Sequence, residues 1–190
     1  MSDMKLRTLA AVVCLLSIGV PAPLAAIEIG GVAQDFSRTS IDGKRFSLMQ
    51  AEKEHSAVVV LFVSTLCPYS NYYNDLLREM APEYSRKGVL FIGINSSRVE
   101  TSEEIAAHAR QHGHNFPILQ DADGKLAAIF DARRTPEVFL LDHEGKLRYH
   151  GRIASKISSP DLKNALDSLL AGRPIRPAET KAFGCAIQRD

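Results

Sequence analysis

Ala57-Val-Val-Val-Leu-Phe-Val63 runs directly into Ser64-Thr65-Leu66-Cys67-Pro68-Tyr69-Ser70-Asn71. Seven apolar residues, four of them valine, with no polar interruption mark a strand buried on both faces of a sheet. Pro68 then suits the first position of a helix, where its missing N–H costs nothing. Helical spacing continues from Pro68 to about Lys87, and Gly88 stops it. Cys67 therefore stands at a strand-to-helix junction. Unpaired backbone N–H groups and the positive helix end there favour an anion, which lowers a thiol pKa. A buried structural thiol is the plainer alternative for such a cysteine.

The flanking sequence builds a sheet around this junction. Upstream, Ile29 to Leu48 alternates about Asp42-Gly43, the signature of a hairpin. Downstream, Val89 to Ile94 is a second buried strand, and Thr101 to Gly113 a helix with Ser102 as its N-cap and Glu103 and Glu104 in its first turn. Leu126 to Phe130 is a short helix. Glu137 to Leu141 and Lys146 to Ile153 are strands joined by a His143-Glu144-Gly145 turn, and Ser159-Pro160-Asp161 opens a last helix ending at Gly172. This order predicts an α/β domain: a central mixed sheet of parallel buried strands with one antiparallel edge, helices on both faces, and a short N-terminal hairpin. It is the order of the thioredoxin-like fold. Past Gly172, Pro174, Pro177 and Phe183-Gly184-Cys185-Ala186-Ile187 predict an extended C-terminal arm laid over the domain.

The whole chain is 190 residues, 45% hydrophobic and 24% charged, with 23 Lys+Arg against 22 Asp+Glu. That balance gives no field to gather nucleic acid or anionic lipid. Lys5 and Arg7, the apolar run from Leu9 to Ile18 and the small residues from Pro21 to Ala26 follow the order of a secretory signal peptide. The apolar stretch from Thr8 to Val20, about 13 residues, falls short of the ~20 that cross a bilayer. The expectation is cleavage near Ala26, export to the bacterial periplasm, and no stable membrane insertion of the mature chain. The expected divisions are 1–26 signal, 27–172 domain and 173–190 arm. Loss of Asp3, Lys5, Arg7 and Cys14 with the signal leaves 21 basic and 21 acidic groups and two cysteines, Cys67 and Cys185, in an oxidising compartment.

Thr135-Pro136 precedes the strand at Glu137. A cis bond there would turn the Thr135 backbone toward the thiol and make an edge for an extended peptide. An ordinary strand-leading proline is the alternative.

These segments resemble the redoxin-domain group of the thioredoxin-like proteins, the AhpC/TSA and TlpA relatives. The resemblance runs over Gly31 to Phe36, Asp42 to Phe46, Phe62 to Pro68, Gly88 to Asn95, Phe116 to Asp121, Thr135 to Phe139 and Gly145 to Gly151. More narrowly it resembles exported forms with Cys-Pro-x-Ser-Asn, here Cys67 to Asn71, and a closing Gly-Cys-x-Ile, here Gly184 to Ile187. It implies a nucleophilic Cys67 and a cis Pro136. Leu66 and Ser70 replace the tryptophan and second cysteine usual in thioredoxins, and Val60 replaces the proline of the peroxiredoxin motif, although Ser64 keeps its hydroxyl.

Without a Cys-x-x-Cys pair, Cys185 is the candidate partner of Cys67. Either it resolves a mixed disulfide or sulfenate on Cys67, or the two form a permanent bond. Closing a loop of 118 positions stabilises by up to about 4.7 kcal/mol in the chain-entropy description. The expected function is an extracytoplasmic thiol-disulfide oxidoreductase acting on a protein or small-molecule disulfide, or a peroxide. Its electron donor is unidentified and it needs no cofactor or metal. A peroxidase and a non-catalytic binding module are the alternatives. Ser70 supplies a hydroxyl for the Cys67 sulfur, Tyr69 a rim, and Asn71 and Arg134 substrate contacts. His108, His112 and His114 read as a solvated helix end rather than a metal site, and Asn95 as a strand-end residue near the site or a turn former.

Overall fold

The computed structural model describes residues 26–188. All of the expected signal peptide but Ala26, Cys14 included, lies outside the described residues. The strand through Ala57–Phe62 (β3) is the centre of a five-stranded sheet, and all six of its residues are buried. Val89–Asn95 (β4) pairs with it in parallel, and Ile118–Gln120 (β5) pairs in parallel with β4. On the other side Glu137–Asp142 (β7) is antiparallel to β3, and Leu147–Gly151 (β8) antiparallel to β7. The order β5-β4-β3-β7-β8 is the expected mixed sheet, and its antiparallel edge is the hairpin across His143-Glu144-Gly145. The strand β5 was not apparent in the sequence. Three residues give too little periodicity to register.

Alternation along β3 sends side chains to two separate cores. Val58, Val60 and Phe62 join Phe36, Phe46, Phe130 and Phe139 on one face; Val59 and Leu61 join Leu77, Met80, Tyr84, Tyr149, Leu162 and Leu166 on the other. Leu48–Glu54 (α1) and Lys125–Phe130 (α5) cover the first face. Asn74–Ser85 (α3) and Asp161–Leu170 (α6) cover the second. The N-terminal hairpin is shorter than its alternating pattern, Ser37–Thr39 (β1) against Arg45–Ser47 (β2).

Two expectations are corrected. The helix after Cys67 is not continuous. Pro68–Asn71 (α2) ends at Tyr72, and α3 starts anew after Tyr73, whose φ of −100° and ψ of 4° leave the helical region. The Tyr73 hydroxyl donates to the Ala154 carbonyl at 2.8 Å, tying this break to the segment after β8 on the same face of the sheet. In the helix Ser102–Gln111 (α4) the N-cap is Thr101, not Ser102. Thr101 accepts from the Glu104 N–H while Glu104 reaches back to the Thr101 N–H, a reciprocal capping box. The rule for the box, a hydroxyl three residues before a glutamate, fits Thr101 and Glu104.

The extended arm is present and fastened twice. Near its middle it lies along β8: the His150 N–H donates to the Ala178 carbonyl at 3.0 Å and the Thr180 N–H to the His150 carbonyl at 2.9 Å. The Thr180 hydroxyl meets the Tyr149 hydroxyl at 2.7 Å. Farther on, Cys185–Ala186 (β9) pairs antiparallel with Arg134–Thr135 (β6), which places Cys185 opposite Thr135.

Candidate active site

Cys67 is the residue immediately before α2, its φ of −86° and ψ of 114° still extended, with Pro68 at the first helical position. The side chain turns inward beneath the arm and is 1% exposed. As a neutral thiol it donates to the Thr135 carbonyl at 2.9 Å. The Thr135–Pro136 bond is cis, and the Thr135 carbonyl does face the thiol. The edge expected to receive an extended substrate is occupied by the chain's own Cys185.

Cys67 and Cys185 are both free thiols, close enough that each shifts the titration of the other. Burial on its own would push the Cys67 thiol up. Hydrogen bonds from the Cys185 thiol, the Thr135 side-chain hydroxyl and the Ser70 and Cys185 backbone N–H groups outweigh it and bring the thiol down to about 7. Cys185 moves the opposite way, to about 11, because it supplies the proton that Cys67 accepts and because it is partly desolvated. Of the two, Cys67 is the more acidic thiol and the one that ionises first. Ser70 takes part through its backbone N–H. Its hydroxyl, expected at the sulfur, instead accepts from the Ser64 N–H at 3.4 Å. Because α2 is a single turn, these discrete donors carry the stabilisation rather than the dipole of a long helix.

Two carboxylates missed in the sequence hold the walls of the site. Glu100, 3% exposed, accepts from the Ser64 hydroxyl at 2.6 Å, the Thr65 N–H at 2.8 Å and Asn95 Nδ2 at 2.8 Å. Burial opposes its charge, but these donors hold the carboxyl below its ordinary value. Replacing Glu100 by alanine strands three donors, and urea unfolding is expected to show a loss of about 2–4 kcal/mol. Glu137, buried behind Pro136, accepts from the Arg133 and Arg134 N–H groups at 2.7 and 2.9 Å and from His150 Nε2 at 2.8 Å. Its only sequence signal is a charge at the head of an apolar strand. Glu100 has none, because its partners lie on other elements.

The remaining expected residues divide. Asn95, through Glu100, belongs to the site's frame. Asn71 donates to the Thr65 carbonyl at 2.8 Å and its Oδ1 meets His108 Nε2 at 2.9 Å, so it braces the loop before Cys67 rather than facing a substrate. His114 Nε2 likewise meets Asn74 Oδ1 at 3.1 Å. The histidines are thus not simply a solvated helix end; two of them tether α4 to the helices that follow Cys67. Among the described residues no group of three or more His, Cys, Asp or Glu is placed to hold a metal ion. Arg134 donates to the Gly184 carbonyl at 3.1 Å, and Tyr69 packs edge-on against Phe183 with ring centroids 5.0 Å apart. Both therefore contact the arm.

The five-stranded mixed sheet between helices, with a cysteine at the end of β3 facing a cis proline at the head of β7, defines a thioredoxin-like redoxin. The AhpC/TSA family model matches residues 29–150, and the chain belongs to the AhpC/TSA family. Among curated proteins it is similar to the thiol-disulfide oxidoreductase ResA of Bacillus thuringiensis strain Al Hakam. The two are 28% identical over 121 residues, which cover 64% of this chain and 68% of the relative. Among solved structures it is similar to a hypothetical protein from Sinorhizobium meliloti 1021 (TM-score 0.78, 29% identity, 87% of this chain and 97% of that one). A conserved protein from Geobacillus kaustophilus is similar as well (TM-score 0.79, 27% identity, 86% and 93%). Among the described residues no helix is long and apolar enough to cross a membrane.

Proposed function

We propose that this chain is an extracytoplasmic thiol-disulfide oxidoreductase of the redoxin type, in which Cys67 is the nucleophile and Cys185 the resolving partner. The observation that carries it is the pair of free thiols at the cis-proline loop, Cys185 paired opposite Thr135 and Cys67 donating to the Thr135 carbonyl. Likeness to a thiol-disulfide oxidoreductase supports the reaction class. The charged and apolar order of residues 1–26 supports export to the periplasm.

In the forward direction the Cys67 thiolate attacks one sulfur of a substrate disulfide and expels the other as a thiolate. Cys185, giving up its proton, attacks Cys67 Sγ, closes the Cys67–Cys185 disulfide and releases the second substrate thiol. An external thiol donor then returns two electrons. With hydrogen peroxide, Cys67 takes one oxygen to become a sulfenate, water leaves, and Cys185 condenses with the sulfenate to the same disulfide with loss of a second water. Because Cys67 is 1% exposed beneath the arm, a protein disulfide reaches it only with the arm lifted.

Assays of the mature protein with insulin and dithiothreitol and with hydrogen peroxide separate the two substrates. Failure of both, with no loss of Cys67 thiol, would overturn the proposal. The thiolate ultraviolet absorbance of the reduced protein is expected to rise with a midpoint at about pH 7. Below it Cys67 is protonated and the rate falls; above it the rate levels off. In Cys185→Ser the midpoint is expected to move upward toward the ordinary cysteine value of about 8.5. That variant should complete one turnover and stop at a mixed disulfide or sulfenate.

A further inference from the structure

We propose that the cleft beside Cys185, between the arm and the loop that follows β4, is the binding site of the reducing substrate, a low-molecular-weight thiol, and that this thiol attacks Cys185 rather than Cys67. The inference rests on the redox pairing of the two cysteines proposed above. A cleft of about 230 Å³ is lined by Cys185, Thr135, Ser64, Ser97, Arg98 and Val99, but not by Cys67. Its size suits a single small thiol. Cys67 is sealed under the arm, whereas Cys185 is partly exposed. A thiolate displacing one sulfur of a disulfide must approach the sulfur it attacks, and only Cys185 borders open space.

Leaving-group chemistry points the same way. Attack on Cys185 expels Cys67 as the thiolate, and the Ser70 backbone N–H and the Thr135 side chain remain beside it to lower the cost of that charge. The incoming thiolate forms a bond to Cys185 Sγ as the Cys185–Cys67 bond breaks, and the electron pair stays on Cys67. A second molecule of thiol, as thiolate, attacks the small-thiol sulfur of the mixed disulfide. It releases the oxidised small molecule and a Cys185 thiolate that takes up a proton. Two thiols are oxidised and one protein disulfide is reduced. The division of labour is opposite for the two half-reactions: oxidant at Cys67, reductant at Cys185.

The test uses the mature protein oxidised with diamide and first checked by non-reducing peptide mass for the Cys67–Cys185 disulfide. Brief exposure to glutathione, an acid quench and alkylation of free thiols then locate the adduct. The expected result is glutathione on the Cys185 peptide and an alkylated Cys67; glutathione on the Cys67 peptide overturns the inference while leaving the redox pair intact. Absence of the disulfide after oxidation would instead overturn the pairing, and this inference with it. As a second measurement, Val99→Trp at the exposed rim of the cleft is expected to slow reduction by glutathione at least about tenfold, with peroxide oxidation of Cys67 unchanged. An unaltered glutathione rate in that variant contradicts the cleft as the site.

Discussion

Replacement of Cys67 by serine is expected to reduce turnover with either a disulfide or hydrogen peroxide by at least about a thousandfold, equivalent to about 4 kcal/mol of transition-state stabilisation. The nucleophile is the thiolate. A serine hydroxyl at the same place stays protonated at neutral pH, and neither hydrogen bonds from Cys185 nor those from the Ser70 and Cys185 N–H groups can change that. The variant should fold, because serine is smaller and its hydroxyl can still donate to the Thr135 carbonyl that now receives the thiol. Near-native melting with no activity is therefore the predicted signature. A Cys67→Ser protein that kept a tenth of the activity would move the chemistry to another residue.

The second large effect is expected at Gly184. A Cβ built there would overlap the Thr135 carbonyl oxygen, the same atom that accepts the Cys67 thiol, and would crowd Pro136 Cδ at 3.2 Å. Backbone lies on the other side of the contact, so no flexible side chain can yield. Gly184→Val should detach Cys185 and Ala186 from Arg134 and Thr135, while Ala178 and Thr180 keep the arm attached to His150. Three consequences follow together. Cys67 becomes accessible to alkylating reagents. Its thiol rises toward about 8.5, so the thiolate fraction at pH 7 falls from about half to about 3%. Formation of the Cys67–Cys185 disulfide slows at least about a hundredfold, since the second thiol is no longer held in place. Stopped-flow alkylation and disulfide closure after a peroxide pulse measure the last two. A variant that closes its disulfide at the native rate would show that the β6–β9 pairing does not position Cys185.

Much of this arrangement is legible in particular stretches of sequence. Ala57–Phe62 shows a fully buried strand because no polar residue interrupts it, and Cys67-Pro68 shows the junction because a proline without an N–H belongs at a helix start. Thr135-Pro136 marks the loop that faces the thiol, and the Gly184-Cys185 tail marks the partner. What was hidden depends on distant pairing. The three residues of β5 are a strand only because β4 lies beside them. The break at Tyr72-Tyr73 falls within an uninterrupted helical pattern. Glu100 and Glu137 look like surface charges in one dimension, and only the fold surrounds them with donors. At Ser70 the residue type points to the hydroxyl, whereas the backbone is the group nearer the sulfur. The Ser70 backbone N–H, which any residue would bring, serves the sulfur, and its hydroxyl braces Ser64.

The central claim is that Cys67 and Cys185 are a working redox pair rather than a lone thiol or a fixed staple. Equilibration of the mature protein in a series of reduced and oxidised glutathione buffers, followed by acid trapping and peptide mass analysis, measures this directly. A working redox pair gives a single two-electron transition between the free thiols and a Cys67–Cys185 disulfide, reached from both directions. A bond that survives excess reducing thiol, or cysteines that never join under oxidising buffer, would contradict it.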